Sequence, residues 1–237
     1  PSYAPATALV ELMGMENMLL ALYDAPEHFA KALDMQTDDW LEFLSEIEAR
    51  GLVVQNTDAS YVGQDSYGYS RQLAEVGARQ ASFADGWGYA NSQETVGVSP
   101  QMFDEVFFPS IARYAARFGL FAFGCCEPVH PLWERSLSRL PNLRKVSVSP
   151  WCDEEAIAGH IRGKGIVYHR KPSPNGFAAA QRDEEALRAQ IVKTARAARG
   201  CPLEITFRDI TTVHGDAARR GKAVDIARRA AEENWRP

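Results

Sequence analysis

The sequence lacks any run of about 18 apolar residues, so it offers no segment that spans a bilayer as a helix. It also lacks a basic surplus: 26 Lys and Arg stand against 31 Asp and Glu, for a net charge of −5. A nucleic-acid partner usually leaves a basic face. The only basic clusters here, Arg219-Arg220 with Lys222 and Arg228-Arg229, fall in a C-terminal helical stretch with acids nearby. Neither nucleic acid nor membrane is therefore expected as a partner. Cysteine is scarce, with four residues in 237, and no CxxC spacing occurs. That excludes a disulfide-stapled mini-protein and a zinc-finger pattern. There is no GxGxxG after a strand and no GxxxxGKS/T, so a dinucleotide or nucleotide fold is not expected. The N-terminal PSYAPATALVEL has no basic region of the kind that opens a signal peptide. The expected compartment is a reducing cytoplasm.

What is present is an ordinary globular composition, 46% hydrophobic and 24% charged. Helical and short apolar patterns alternate. Asp24-Ala-Pro-Glu opens a helix that closes at Arg50-Gly51, and Leu33, Trp40, Leu44 and Ile47 mark its apolar face. Further helices are predicted from Ser99-Pro100 to Gly119 with a kink at Pro109, over 132–140, 153–161, 183–200 and 216–233. Strands are predicted at 52–56 (LVVQN), 120–123 (LFAF), 145–149 (KVSVS), 165–169 (GIVYH) and 203–207 (LEITF), with ALVEL (8–12) as a sixth. Five or six strand–helix units predict a parallel sheet with helices outside it, of the (β/α)8 barrel type. Residues 57–98 are rich in Gly, Ser, Asp and Tyr without a sustained period, and read as a long lid-like loop. Tyr61 and Tyr67 in it are candidates to stack on a flat ligand; the alternative is aromatic packing over a barrel rim.

In such folds chemistry sits at the carboxyl ends of the strands. Those ends carry Asp58, then Cys125, Cys126 and Glu127, then Trp151, then His169 and Lys171, then Arg208, Asp209 and His214. Gly124-Cys-Cys-Glu127 is the sharpest feature: thiolates beside a carboxylate are donors that zinc accepts. The alternative is a pair of buried, inert thiols. His169 reads as a proton shuttle or a ligand, or as a structural hydrogen-bond donor to a loop carbonyl. Asp58 and Asp209 read as acid/base groups or turn residues. Arg208, Lys171 and Arg170 read as holders of substrate carboxylates; the alternative for Arg208 is pairing with its neighbour Asp209.

The segments GMENMLLALYDAPEHFAKAL (14–33), SPQMFDEVFFPSIARYAARFG (99–119), FGCCEPVHPLWE (123–134), PNLRKVSVSPW (141–151), VYHRKPSP (167–174) and ITFRDITTVHGD (205–216) resemble the uroporphyrinogen decarboxylase superfamily. Taken in order they span most of the chain, and they look like a branch that bears Gly-Cys-Cys-Glu after a mid-barrel strand. The resemblance implies one barrel domain over 1–237, matching the C-terminal two-thirds of that fold. It implies one of two activities on a small-molecule substrate, the first ahead of the second. One is methyl transfer between a small methylated compound or thiol and a corrinoid held by a partner protein, with zinc on Cys125, Cys126, Glu127 and His214. The other is cofactor-free decarboxylation of a tetrapyrrole or other polycarboxylate; a non-catalytic ligand-binding barrel is a further alternative. The chain departs from the methyltransferase His-x-Cys pattern, because Phe123 or Gly124 stands where its histidine falls. It also has no arginine-rich N-terminal segment of the decarboxylase kind. With the early strands missing, Pro1 reads as an internal start, and further N-terminal chain or a second subunit in a homodimer is expected to cover the open sheet edge.

Overall fold

The computed structural model describes residues 2–237. The chain divides into two compact units: residues up to Glu127 with Pro131–Arg144, and Pro128–His130 with Lys145–Pro237.

The first unit opens on the short strand β1 (Ser2–Tyr3) and helices α1 (Pro5–Met13), α2 (Met15–Asp24) and α3 (Pro26–Ala49). The expected helix after Asp24 is α3, which buries Phe29, Leu33 and Leu44. The ALVEL stretch is not a strand but part of α1. Pro5 sets the first turn, and the buried Pro5, Ala6 and Leu9 share one helical face, where a strand would bury alternate residues. Residues 52–56 are not a strand either. Leu52 and Val54 are exposed, and the segment runs as irregular chain along a cavity of about 280 Å³ lined by Phe43, Leu44, Ile47 and Trp87.

The segment expected as a loop, 57–98, contains a hairpin of β2 (Asp58–Gly63) and β3 (Ser66–Tyr69), followed by strand β4 (Trp87–Ala90). Gln64 and Asp65 both have positive φ, 42° and 62°, so the hairpin turns through a tight two-residue loop without the usual Asn-Gly. Two glycines that read as loop punctuation are instead close-contact sites. A Cβ on Gly68 would lie 2.2 Å from the Asn56 carbonyl, and one on Gly88 would lie 2.3 Å from the Phe118 ring. Asn56 extends the ladder: its Oδ1 accepts from the Trp87 N–H at 2.7 Å and its Nδ2 donates to the Trp87 carbonyl at 3.0 Å.

Helix α4 (Pro100–Met102) starts on Ser99, whose hydroxyl accepts from the Met102 N–H, as its Ser-Pro opening predicts. It continues through a π-helical turn, Phe103–Phe107, into α5 (Phe108–Ala115). Pro109 has no N–H to give to the preceding turn, and the helix widens there. Strand β5 (Leu120–Phe123) follows. β1, β4 and β5 are parallel, with Tyr3 beside Ala90 and Tyr89 beside Ala122. Trp87, Tyr89, Leu120 and Ala122 share one face and pack with Val62 of the hairpin. The opposite face, with Phe121 and Phe123, meets Phe103, Tyr114 and Phe118. The helix expected over 132–140 is only short 3-10 turns at His130–Leu132 and Leu137–Arg139.

The second unit holds β6 (Leu143–Val148) from Lys145 onward, then α6 (Glu154–Ile161), β7 (Val167–Arg170), α7 (Asn175–Ala178), α8 (Glu184–Ala197), β8 (Leu203–Ile205) and α9 (Ala218–Asn234). Asp153 and Asp183 cap α6 and α8 through their carboxylates, as the acid-rich helix starts suggest. β6, β7 and β8 are parallel, with Ser147 beside His169 and His169 beside Glu204. Ile205 packs against a cluster of Leu187, Ile191, Ala223, Ala227 and Ala230 from α8 and α9. The chain is thus an α/β protein of parallel strands with helices. Six strands are parallel among the described residues, two short of the eight in a complete barrel.

Candidate functional site

The polar centre of the second unit follows from strand alternation. Lys145, Ser147 and Ser149 on or after β6, His169 and Lys171 on or after β7, and Glu204 on β8 fall on the face opposite Ile205. Of these, Lys145, Ser147, Ser149, His169 and Lys171 are all buried. Apolar strand faces are the norm at such depth, and Lys is almost never fully buried without a partner. Lys145 Nζ meets Glu204 Oε2 at 2.6 Å. The Lys145 pKa is nevertheless lowered, because desolvation outweighs the attraction of Glu204.

His169 is fully buried. Its Nε2 shares a 2.9 Å hydrogen bond with the Thr206 hydroxyl and lies 3.7 Å from Glu204 Oε1. Its Nδ1 is buried with no hydrogen-bond partner. Burial holds its pKa well below the usual histidine range, and the positive charges of Lys171, Lys145 and Arg208 push the same way. His169 is therefore a neutral imidazole at pH 7, able to give or accept a hydrogen bond through its ring nitrogens. Perturbed groups gathered at strand ends mark a functional-site candidate. Of the residues expected here, the structure gathers His169, Lys171 and Arg208. Lys145, Glu204 and Thr206 join them without being among the strand-end residues that the sequence marks. Their signal was a charged or hydroxyl side chain at an inward position of an otherwise apolar strand, in KVSVS and LEITF.

Other expectations in this unit come out differently. Arg170 points to the helix-facing side, where it donates to the Val148 and Ser149 carbonyls and pairs with buried Glu154 at 3.5 Å. These contacts tie it to the end of β7. Asp209 is exposed and pairs with Arg208, and it sits in the left-handed region at φ 59°. Trp151 is exposed and His214 Nε2 is 3.0 Å from the Ala178 carbonyl, a bond that fixes a turn.

The first unit gathers the thiols. Gly124, at φ 98°, ends β5 and lets the chain turn. Tyr89 donates its hydroxyl to the Gly124 carbonyl at 2.8 Å. Glu127 is buried, and its two oxygens accept from the Ser92 N–H at 2.8 Å and the Cys125 N–H at 2.9 Å. This carboxylate organises the loop backbone. The Cys125 and Cys126 sulfurs are 3.5 Å apart, the first buried and the second half-buried. No group of three or more His, Cys, Asp or Glu able to hold a metal occurs among the described residues. Asp58 is exposed on β2 and lines an open polar crevice with Arg71 and Glu75. Tyr61 and Tyr67 are exposed on the hairpin and meet edge-to-face at 6.0 Å. Among the described residues, no helix is long and apolar enough to cross a membrane. In comparisons with protein-family models, curated proteins and solved structures, the chain matches none of them.

Proposed function

We propose that this chain is an enzyme of the uroporphyrinogen decarboxylase-like (β/α)8 type that acts on a carboxylate-bearing small molecule. The observation that carries the reading is the buried His169, neutral and with a free Nδ1, set among Lys145, Lys171 and Arg208. Charges that disfavour a second proton on the ring favour an anion beside it. Lys171 and Arg208 hold the substrate carboxylate, and His169 Nδ1 orients the reacting group. In a decarboxylation the bond between carbon and carboxyl breaks, carbon dioxide leaves, and the electron pair left on carbon takes a proton. Lys145, a stronger acid than an exposed lysine, supplies it and regains one from solvent. The test is carbon dioxide release from a carboxylate-bearing porphyrinogen, with His169→Gln and Lys171→Met beside the wild type. Turnover that falls at least about 100-fold in both variants supports the reading; turnover unchanged in both overturns it.

The close thiols Cys125 and Cys126 favour a second reading, methyl transfer to or from a corrinoid carried by a partner protein. Loss of the methyl group from free methylcobalamin on addition of a thiol, followed by absorbance and abolished in Cys126→Ser, would select it over decarboxylation.

A further inference from the structure

We infer that Cys125 and Cys126 form a chelating site for a soft, thiophilic centre that takes two thiolates and brings its own remaining substituent, the chemistry of an organic trivalent arsenical. The argument begins with the backbone. Neighbouring side chains of a strand point to opposite faces, yet these two sulfurs are 3.5 Å apart. Gly124 at φ 98° ends the strand, and Glu127 pins the next turn through the N–H groups of Ser92 and Cys125. The pair is therefore held together by the fold.

The spacing selects the ligand. A disulfide between adjacent residues is strained, because consecutive Cα atoms lie about 3.8 Å apart where disulfides prefer roughly 4.4–6.8 Å. The pair is thus disposed to stay as two thiols. An atom bonded at about 2.3 Å to each sulfur would bridge the 3.5 Å separation with an angle of roughly 100°. That bent geometry does not suit a linear two-coordinate ion. It suits a pyramidal centre, and the lack of a third His, Cys, Asp or Glu in such a group among the described residues disfavours an ion that needs three or four protein ligands. Cys126 is half-buried and Cys125 is buried, so Cys126 bonds first and Cys125 closes the ring.

With phenylarsine oxide as the probe, both S–H bonds break and two As–S bonds form. The oxide oxygen leaves as water with the two thiol protons, and no oxidant or reductant is consumed. The experiment is intact-mass analysis and thiol counting on the folded full chain, for the wild type, Cys126→Ser, Cys125→Ala, Cys152→Ser and Cys201→Ser. One phenylarsenic group per wild-type chain with loss of two thiols is expected, retained in the Cys152 and Cys201 variants. Retention against a competing monothiol should be about 100-fold weaker in Cys126→Ser, which loses the second bond. If Cys125→Ala does not fold, Cys126→Ser decides alone. Unchanged retention in Cys126→Ser, or no adduct on the folded wild type, overturns the inference. The decarboxylation and methyl-transfer assays read different residues or products, so neither outcome here depends on them.

Discussion

At the scale of single residues, the second unit sets a neutral imidazole and a weakened ammonium in the same buried space. The consequence for stability has a definite sign. The folded-state pKa of His169 lies below the unfolded value of about 6.5. Between those two values the unfolded chain binds a proton that the folded chain refuses, so stability falls as pH falls below about 6.5. In His169→Gln that part of the acid sensitivity is expected to vanish, and urea midpoints between pH 5 and 7 should draw closer, leaving the smaller slope of His130, whose pKa burial also lowers. A variant that keeps the wild-type slope would place the sensitivity elsewhere. Glu204 is the counter-charge to Lys145. Removing one member of a fully buried pair costs roughly 3–5 kcal/mol. Glu204 keeps 23% of its side-chain surface exposed, so Glu204→Gln should cost less, about 2 kcal/mol by urea denaturation.

At the scale of elements, the hairpin and β4 depend on one side chain. Asn56 satisfies both the N–H and the carbonyl of Trp87, in the manner of a neighbouring strand. Asn56→Ala leaves two backbone groups without their partner. The expected loss is about 2 kcal/mol, read as an earlier thermal transition with loss of near-ultraviolet signal from the ordered Trp87. Asn56→Asp should be nearly as costly, because a carboxylate keeps the acceptor and loses the donor. The same element carries few of the local signals that mark strands. Its strands are short, its turn is Gln64-Asp65, and its glycines are there because Asn56 and Phe118 approach closely. Turn signals in sequence name residue types, and close approach between distant segments is invisible to them. By contrast α3, α5, α6, α8 and α9 were legible, because apolar spacing and an acidic, Ser or Pro start are local properties.

At the scale of the whole molecule, a chain of net charge −5 gathers Lys145, Lys171 and Arg208 around one histidine. Overall charge alone would send carboxylates away. Ligand binding at that centre should stabilise the fold by about 2.7 kcal/mol at a hundred times the dissociation constant. Thermal shifts with a polycarboxylate, using citrate as a simple probe, should therefore rise with concentration in the wild type and disappear in Lys171→Met. A shift that persists in Lys171→Met would move the anion site away from β7.

The alternation of helices and apolar strands is written locally in the chain, because periodicity and capping act within a few residues. The sequence also marks β5, β6, β7 and β8 and the polar ends that follow them, including His169 and the paired cysteines. Which of those polar groups meet follows from how distant segments pair. Strand register put Glu204 beside His169 and Lys145 on the same face, and turned Arg170 toward Glu154 on the other. It also left Tyr61, Tyr67, Trp151 and Asp58 at the surface, and spent the Glu127 carboxylate on two backbone N–H groups. Facing and burial depend on pairings between segments far apart in the chain, and no local pattern carries that information.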